Sequence, residues 1–124
     1  MSPTVYYFEI PVTDLERAIT FYSMVFGCEF DRVDVDGNQM ANFPPLEGVS
    51  GASGALAKGD SYIPGTQGVR VYFDTDNIDE TLANAVVAGG KALYPKTSVG
   101  EFGFVAEFED SEGNCIALSQ RLSG

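Results

Sequence analysis

The chain is written twice over. Displaced by 63 residues, it lays Phe8 on Val71, Ile10 on Phe73, Leu15 on Ile78, Ile19 on Leu82 and Gly27 on Gly90. A degenerate repeat of this kind marks two copies of one supersecondary unit, neither of which buries its apolar face alone. With 124 residues in all, the copies must share a core, since the chain is long enough for one hydrophobic interior and too short for two ordinary domains. The expected organisation is a single domain of two modules, residues 4–58 and 68–122, joined by the loop 59–68.

Each module reads β-α-β-β-β. In the first, VYYFEIPV (5–12) is rich in β-branched and aromatic residues, and Phe8, Ile10 and Val12 share one face at period two. Thr13-Asp14-Leu15-Glu16 then fits a capping box, with the Thr13 hydroxyl and the Glu16 carboxylate on free backbone N–H groups. Leu15, Ala18, Ile19, Tyr22 and Phe26 follow as a helical apolar stripe, and Gly27 supplies the stop. Two strands, 29–35 and 38–43, flank Asp36-Gly37, a dipeptide suited to the positive φ angles of a tight hairpin. SGALAK (53–58) is a weaker fourth strand. In the second module VRVYFD (69–74) places Val69, Val71 and Phe73 on one face. Asp76 is expected to cap a helix carrying Ile78, Leu82, Ala85 and Val86, which Gly89-Gly90 ends. Strands at 102–109 and 114–120 then flank the turn Asp110-Ser111-Glu112-Gly113.

The acidic balance, 18 Asp and Glu against 7 Lys and Arg for a net charge of −11, repels phosphate backbones and anionic membranes. Neither nucleic acid nor a membrane is expected as a partner. Cationic or neutral small molecules are favoured instead. No apolar run approaches the ~18 residues of a membrane span, and MSPTVYYF lacks the basic start of a signal peptide, so a cytoplasmic location is expected. Cys28 and Cys115 have no CxxC spacing and read as small buried hydrophobes rather than a disulfide.

Across nearly the whole chain the wording is similar to one family. FEIPVTDLERAITFYSMVFG resembles the first strand and helix of the vicinal-oxygen-chelate (glyoxalase, bleomycin resistance and dioxygenase) superfamily, while GGKALYPKT and FGFVAEFEDSEGNCIALS resemble its C-terminal end, in the branch related to lactoylglutathione lyase. The resemblance implies an α+β fold, with tandem βαβββ modules forming a cup-shaped mixed eight-stranded sheet and helices on its outer face. It also implies a homodimer. Metal-dependent members hold a divalent ion with four cup side chains, usually His and Glu. This chain has no histidine. The resemblance puts Tyr7 at the first-strand ligand position, Arg70 at its repeat mate and Ala117 at the last-strand position, with the fourth somewhere in 54–58. Arg is a cation and Ala has no donor, so no metal, no other cofactor and no glyoxalase I activity are expected.

With Phe8, Ile10 and Val12 turned to the helices, the opposite face carries Tyr7, Glu9 and Pro11, and the repeat carries Arg70, Tyr72 and Asp74 there. Glu9, partly desolvated beside aromatic rings, is the candidate general base, and Arg70 the candidate anion stabiliser. The structural alternative is a Glu9–Arg70 ion pair bridging the modules. Tyr7, Arg70, Tyr72, Ser119 and Glu107 are the candidate ligand-binding residues. The face taken by Glu107 depends on whether a bulge shifts its strand. Tyr62, Phe43, Met40 and Phe104 are either cavity lining or core. Glu112, like Asp31 and Asp34, reads as solvated and carries no assigned chemistry. Three functions follow as expectations: a metal-independent binder of a small polar or cationic molecule, a metal-independent lyase or isomerase using Glu9, or a dimeric interaction module.

Overall fold

The computed structural model describes residues 3–48 and 50–122. Strand β1 (Phe8–Pro11) leads into helix α1 (Leu15–Phe26), followed by β2 (Asp31–Val35), β3 (Asn38–Asn42) and β4 (Gly54–Lys58). The second module runs β5 (Tyr72–Asp74), α2 (Ile78–Val87), β6 (Lys91–Ser98), β7 (Phe104–Glu109) and β8 (Cys115–Gln120). The eight strands form two four-stranded mixed sheets in matching orders, β1-β4-β3-β2 and β5-β8-β7-β6. In each, the first strand pairs in parallel with the last of its module and the remaining pairs are antiparallel. The repeat in the sequence is a repeat in the fold. No helix among the described residues is long and apolar enough to cross a membrane.

One core serves both modules. Ile10, Val12, Tyr22 and Leu56 of the first are buried in one cluster with Ile78, Phe108, Ile116 and Leu118 of the second. Phe8 meets Phe73 edge to face at 5.6 Å between ring centroids, which brings β1 beside β5. Helix α1 is wider in its burial than its expected stripe. Phe21 and Val25 are buried with Leu15, Ala18 and Tyr22, whereas Ile19 and Phe26 are only partly covered. Gly27 at φ 66° closes the helix in the left-handed conformation, and Asp36 and Gly37, at φ 53° and 81°, make the hairpin turn.

Both expected helix starts shift by one residue. Asp14 caps α1, accepting from the Arg17 N–H, and Asn77 rather than Asp76 caps α2, accepting from the Glu80 N–H. Glu16 does not complete a capping box, because it pairs with Arg32. Its place is taken from the other module by Glu112. One oxygen of Glu112 accepts from the Thr13 and Asp14 N–H groups (both 2.9 Å), the Thr13 hydroxyl (3.0 Å) and Arg17 (3.0 Å). The other accepts from Arg17 Nε at 2.7 Å and Ser111 at 3.0 Å. The side chain expected to be solvated has no exposed surface. Val69 is almost wholly exposed and precedes β5, so the alternation there begins at Val71.

Close pairing of β1 with β4 leaves no room for a side chain at Gly54. A methyl group on Gly54 would lie 2.2 Å from the Phe8 carbonyl oxygen and 2.7 Å from its ring, so β1 and β4 would have to part. Gly54→Ala is expected to cost about 1–3 kcal/mol through overpacking. Denaturant unfolding measures it, and an unchanged midpoint would show that β1 yields freely.

Candidate functional site

Alternation along β1 puts Tyr7 and Glu9 on the sheet face away from the helices, as expected, and the structure joins them. Tyr7 donates its hydroxyl to Glu9 Oε2 at 3.1 Å, and Tyr62, from the joining loop, donates to Glu9 Oε1 at 2.8 Å. Burial, then the hydrogen bond to Glu9, pushes the Tyr7 phenol up to about 12. Tyr62 is raised chiefly by its bond to Glu9. Both phenols therefore stay protonated at neutral pH and hold the carboxylate between them. Tyr62 belongs to the open face rather than the main core, and it packs over Met40, Ala55 and Ala57, which form a small buried cluster of their own. Phe43 and Phe104 pack against the main core.

The second module supplies a facing set. Tyr72 and Glu107 stand opposite Ala117 from its two neighbouring strands, and Asp74 stands opposite Ser119, so all share one face. The register shifts between β6 and β7 spare the β7–β8 pairing, which fixes Glu107 on the open side. Ser119 is on this face too, half-buried.

The expected Glu9–Arg70 pair does not form. Arg70 pairs with Glu107 at 2.9 Å, within its own module, and Glu9 has its two phenols instead. Glu9 is also exposed, so the desolvation expected around it is absent from the single chain. Cys115 donates to Glu107 at 3.7 Å, and burial followed by the Glu107 charge raises its thiol. An inert thiol beside an ion pair is the result.

Glu9 and Cys115 line one cleft of about 150 Å³ between the modules, walled by Ile63, Val69 and Val71. Tyr7 borders a wider hollow of about 710 Å³ with Asp31 and Asn42. The joining loop is pinned over Glu9 at two points, by Tyr62 and by the Gly65 N–H, which donates to Asn114 Oδ1 at 3.0 Å. Asn114 in turn donates to the Pro11 carbonyl at 2.8 Å, tying the last hairpin to β1. The sequence gives no sign of this role for Asn114, because Pro11 and Gly65 lie on other elements.

Residues 4–118 match the Glyoxalase/Bleomycin resistance protein/Dioxygenase superfamily. The chain belongs to that superfamily. A glyoxylase-like domain-containing protein from Didymella fabae is 32% identical over 120 residues, spanning 91% of this chain and 90% of that one. An antibiotic binding protein from Streptomyces sp. CB03234 superposes with a TM-score of 0.70 at 26% identity, over 98% of this chain and 99% of that one. A glyoxalase I variant from Zea mays shares the fold, with a TM-score of 0.69 at 20% identity, over 93% of this chain but 45% of that longer one.

Within the superfamily the ion-holding positions can now be tested on the register. Tyr72 pairs with Ala117 in the second module, and Glu9 pairs with Ala55 in the first. The position left open in 54–58 is therefore Ala55, the structural mate of Ala117. Tyr7, Ala55, Arg70 and Ala117 offer one protonated phenol, two methyl groups and a cation. These residues do not fit a divalent ion, which takes carboxylate, imidazole or thiolate donors. Among the described residues no group of three or more His, Cys, Asp or Glu gathers elsewhere.

Proposed function

We propose that this glyoxalase-like protein binds a small polar or cationic organic molecule on the open face of its sheets without a metal, in the manner of a bleomycin-resistance-type binder. The observation that carries the reading is Glu9, a carboxylate oriented by two phenols at the mouth of a cleft shared by both modules. A carboxylate flanked by aromatic rings attracts a cation through charge and through the ring faces together. The net charge of −11 adds long-range attraction of the same sign. The antibiotic binding protein that shares the fold over nearly its whole length supports a binding role.

Titration calorimetry with bleomycin and with flat cationic aromatic dyes tests this. The expected result is saturable binding, unaffected by chelator and weakened by salt. Glu9→Gln should weaken it about tenfold or more, the worth of a charge-assisted hydrogen bond. Tyr7→Phe and Tyr62→Phe should each weaken it less. Equal affinity of Glu9→Gln for every ligand that binds would remove Glu9 from the site. Proton transfer by Glu9 in a lyase or isomerase is the less favoured reading, because each of its oxygens already accepts a phenol. Turnover abolished by Glu9→Gln with binding intact would instate it.

A further inference from the structure

On the reverse side of β1, facing the helices, the four half-buried rings of Phe8, Phe26, Phe43 and Phe73 surround a hollow of about 260 Å³. Their centroids are linked at 4.7 Å (Phe26–Phe73) and 5.6 Å (Phe8–Phe43, Phe8–Phe73 and Phe43–Phe73). Pro44, Pro45, Leu46 and Ala52 add apolar lining. Among the described residues Ser53 is the one polar side chain of the lining, and its hydroxyl is already used on the Pro44 carbonyl at 2.9 Å. An apolar cavity of roughly 150 Å³ suffices to hold benzene. Rings tilted at 39–85° to one another present edges and faces on which a flat guest can stack or sit edge to face.

The geometry points to a second ligand site here, distinct from the Glu9 face, that takes a small neutral aromatic molecule of one or two rings. Charge selects against ions. Among the described residues none of the lining side chains is charged, and a carboxylate or ammonium entering the hollow would lose hydration without a charged partner. Phe8 points to the helices while Tyr7 and Glu9 point away, but Leu46 and Ala52 also border the wider hollow beside Tyr7, so Val5, which lines that hollow alone, tells the two apart.

The test is a titration of methyl-labelled protein with toluene and indole, followed by carbon–proton correlation spectra. Saturable shifts are expected at the Leu46 and Ala52 methyl groups, with those of Val5 in the hollow beside Tyr7 and of Met40 and Ala57 on the open face unmoved. Benzoate and benzylammonium should bind at least tenfold more weakly than toluene. Ala52→Phe, which fills the hollow, and Leu46→Trp, which roofs it from an exposed position, should each abolish the shifts, so a folding defect in one leaves the other decisive. The proposal is overturned if no saturable shift appears up to the solubility limit, or if shifts survive both variants or centre on Val5, or on Met40 and Ala57. It is equally overturned if Leu46 and Ala52 shift with protein concentration alone, which would mean that a second copy of the chain fills the hollow.

Discussion

Glu112→Gln is expected to lower stability by about 3 kcal/mol at pH 7, and the loss should shrink to a few tenths near pH 2. Burial alone would raise this carboxyl. Arg17 and then the Asp14 and Thr13 N–H groups outweigh it and bring the group from its ordinary value of 4.5 to about 2. A carboxyl depressed in the folded state stabilises the protein fully above its unfolded value. That contribution then drains away as pH falls from 4.5 towards 2. Each pH unit between the two values is worth ~1.4 kcal/mol, which sets the size of the effect. The Glu112 side chain is covered but its partner Arg17 is half-exposed, so solvent screening trims the full value of the shift to the figure given. Other carboxylates titrate in the same window, so the quantity to measure is the difference between wild type and Glu112→Gln in urea unfolding at a series of pH values. A difference that does not change between pH 7 and pH 2 would show that the clamp does not depend on the ionised carboxylate.

The Glu112 clamp also shows where reading a sequence stops. Thr-x-x-Glu at Thr13 to Glu16 is a sound local signal for a helix start, and the helix starts there. The carboxylate that satisfies the exposed N–H groups comes from 99 residues further on, however. No periodicity reports a contact of that range. The repeat, the period-two faces, Gly27 and Asp36-Gly37 were legible because they depend on neighbouring residues alone. So was the sharing of one face by Tyr7 and Glu9. The partners of those residues were not. Tyr62 lies in an irregular loop, where side-chain direction follows no period, and Arg70 chose Glu107 across two strand pairings. Strand β6 had no bounds in the sequence because it carries Pro95 and register shifts, which blur the alternation that marks a strand.

Asp110→Ala is expected to cost about 3–5 kcal/mol, the range for breaking a buried charged network from one side. Asp110 is 4% exposed and is the hub on which both modules meet. It accepts the Tyr22 hydroxyl of α1 at 2.5 Å, the Glu112 and Asn114 N–H groups at 2.8 and 2.9 Å, and Asn114 Nδ2 at 3.0 Å. Alanine would leave the Tyr22 hydroxyl and the Asn114 N–H buried without an acceptor and would also release the half-buried Glu112 N–H, while Asn114 Nδ2 keeps the Pro11 carbonyl; Tyr22→Phe removes only one bond and should cost about 1.5–3 kcal/mol. Burial, and then the neighbouring Asp110, raises the Tyr22 phenol well above its usual value, so it is a donor at every physiological pH. The double variant should lose less than the two single losses added together, because both act on one contact. Strict additivity in denaturant unfolding would mean that Tyr22 and Asp110 are not coupled. The consequence reaches the open face. Asn114, oriented by Asp110, holds both the Pro11 carbonyl and the Gly65 N–H, and the loop through Gly65 carries Tyr62 to Glu9. Asp110→Ala is therefore expected to weaken ligand binding at Glu9 even at temperatures where the variant remains folded. Tyr22→Phe, which leaves Asn114 in place, should bind as the wild type does.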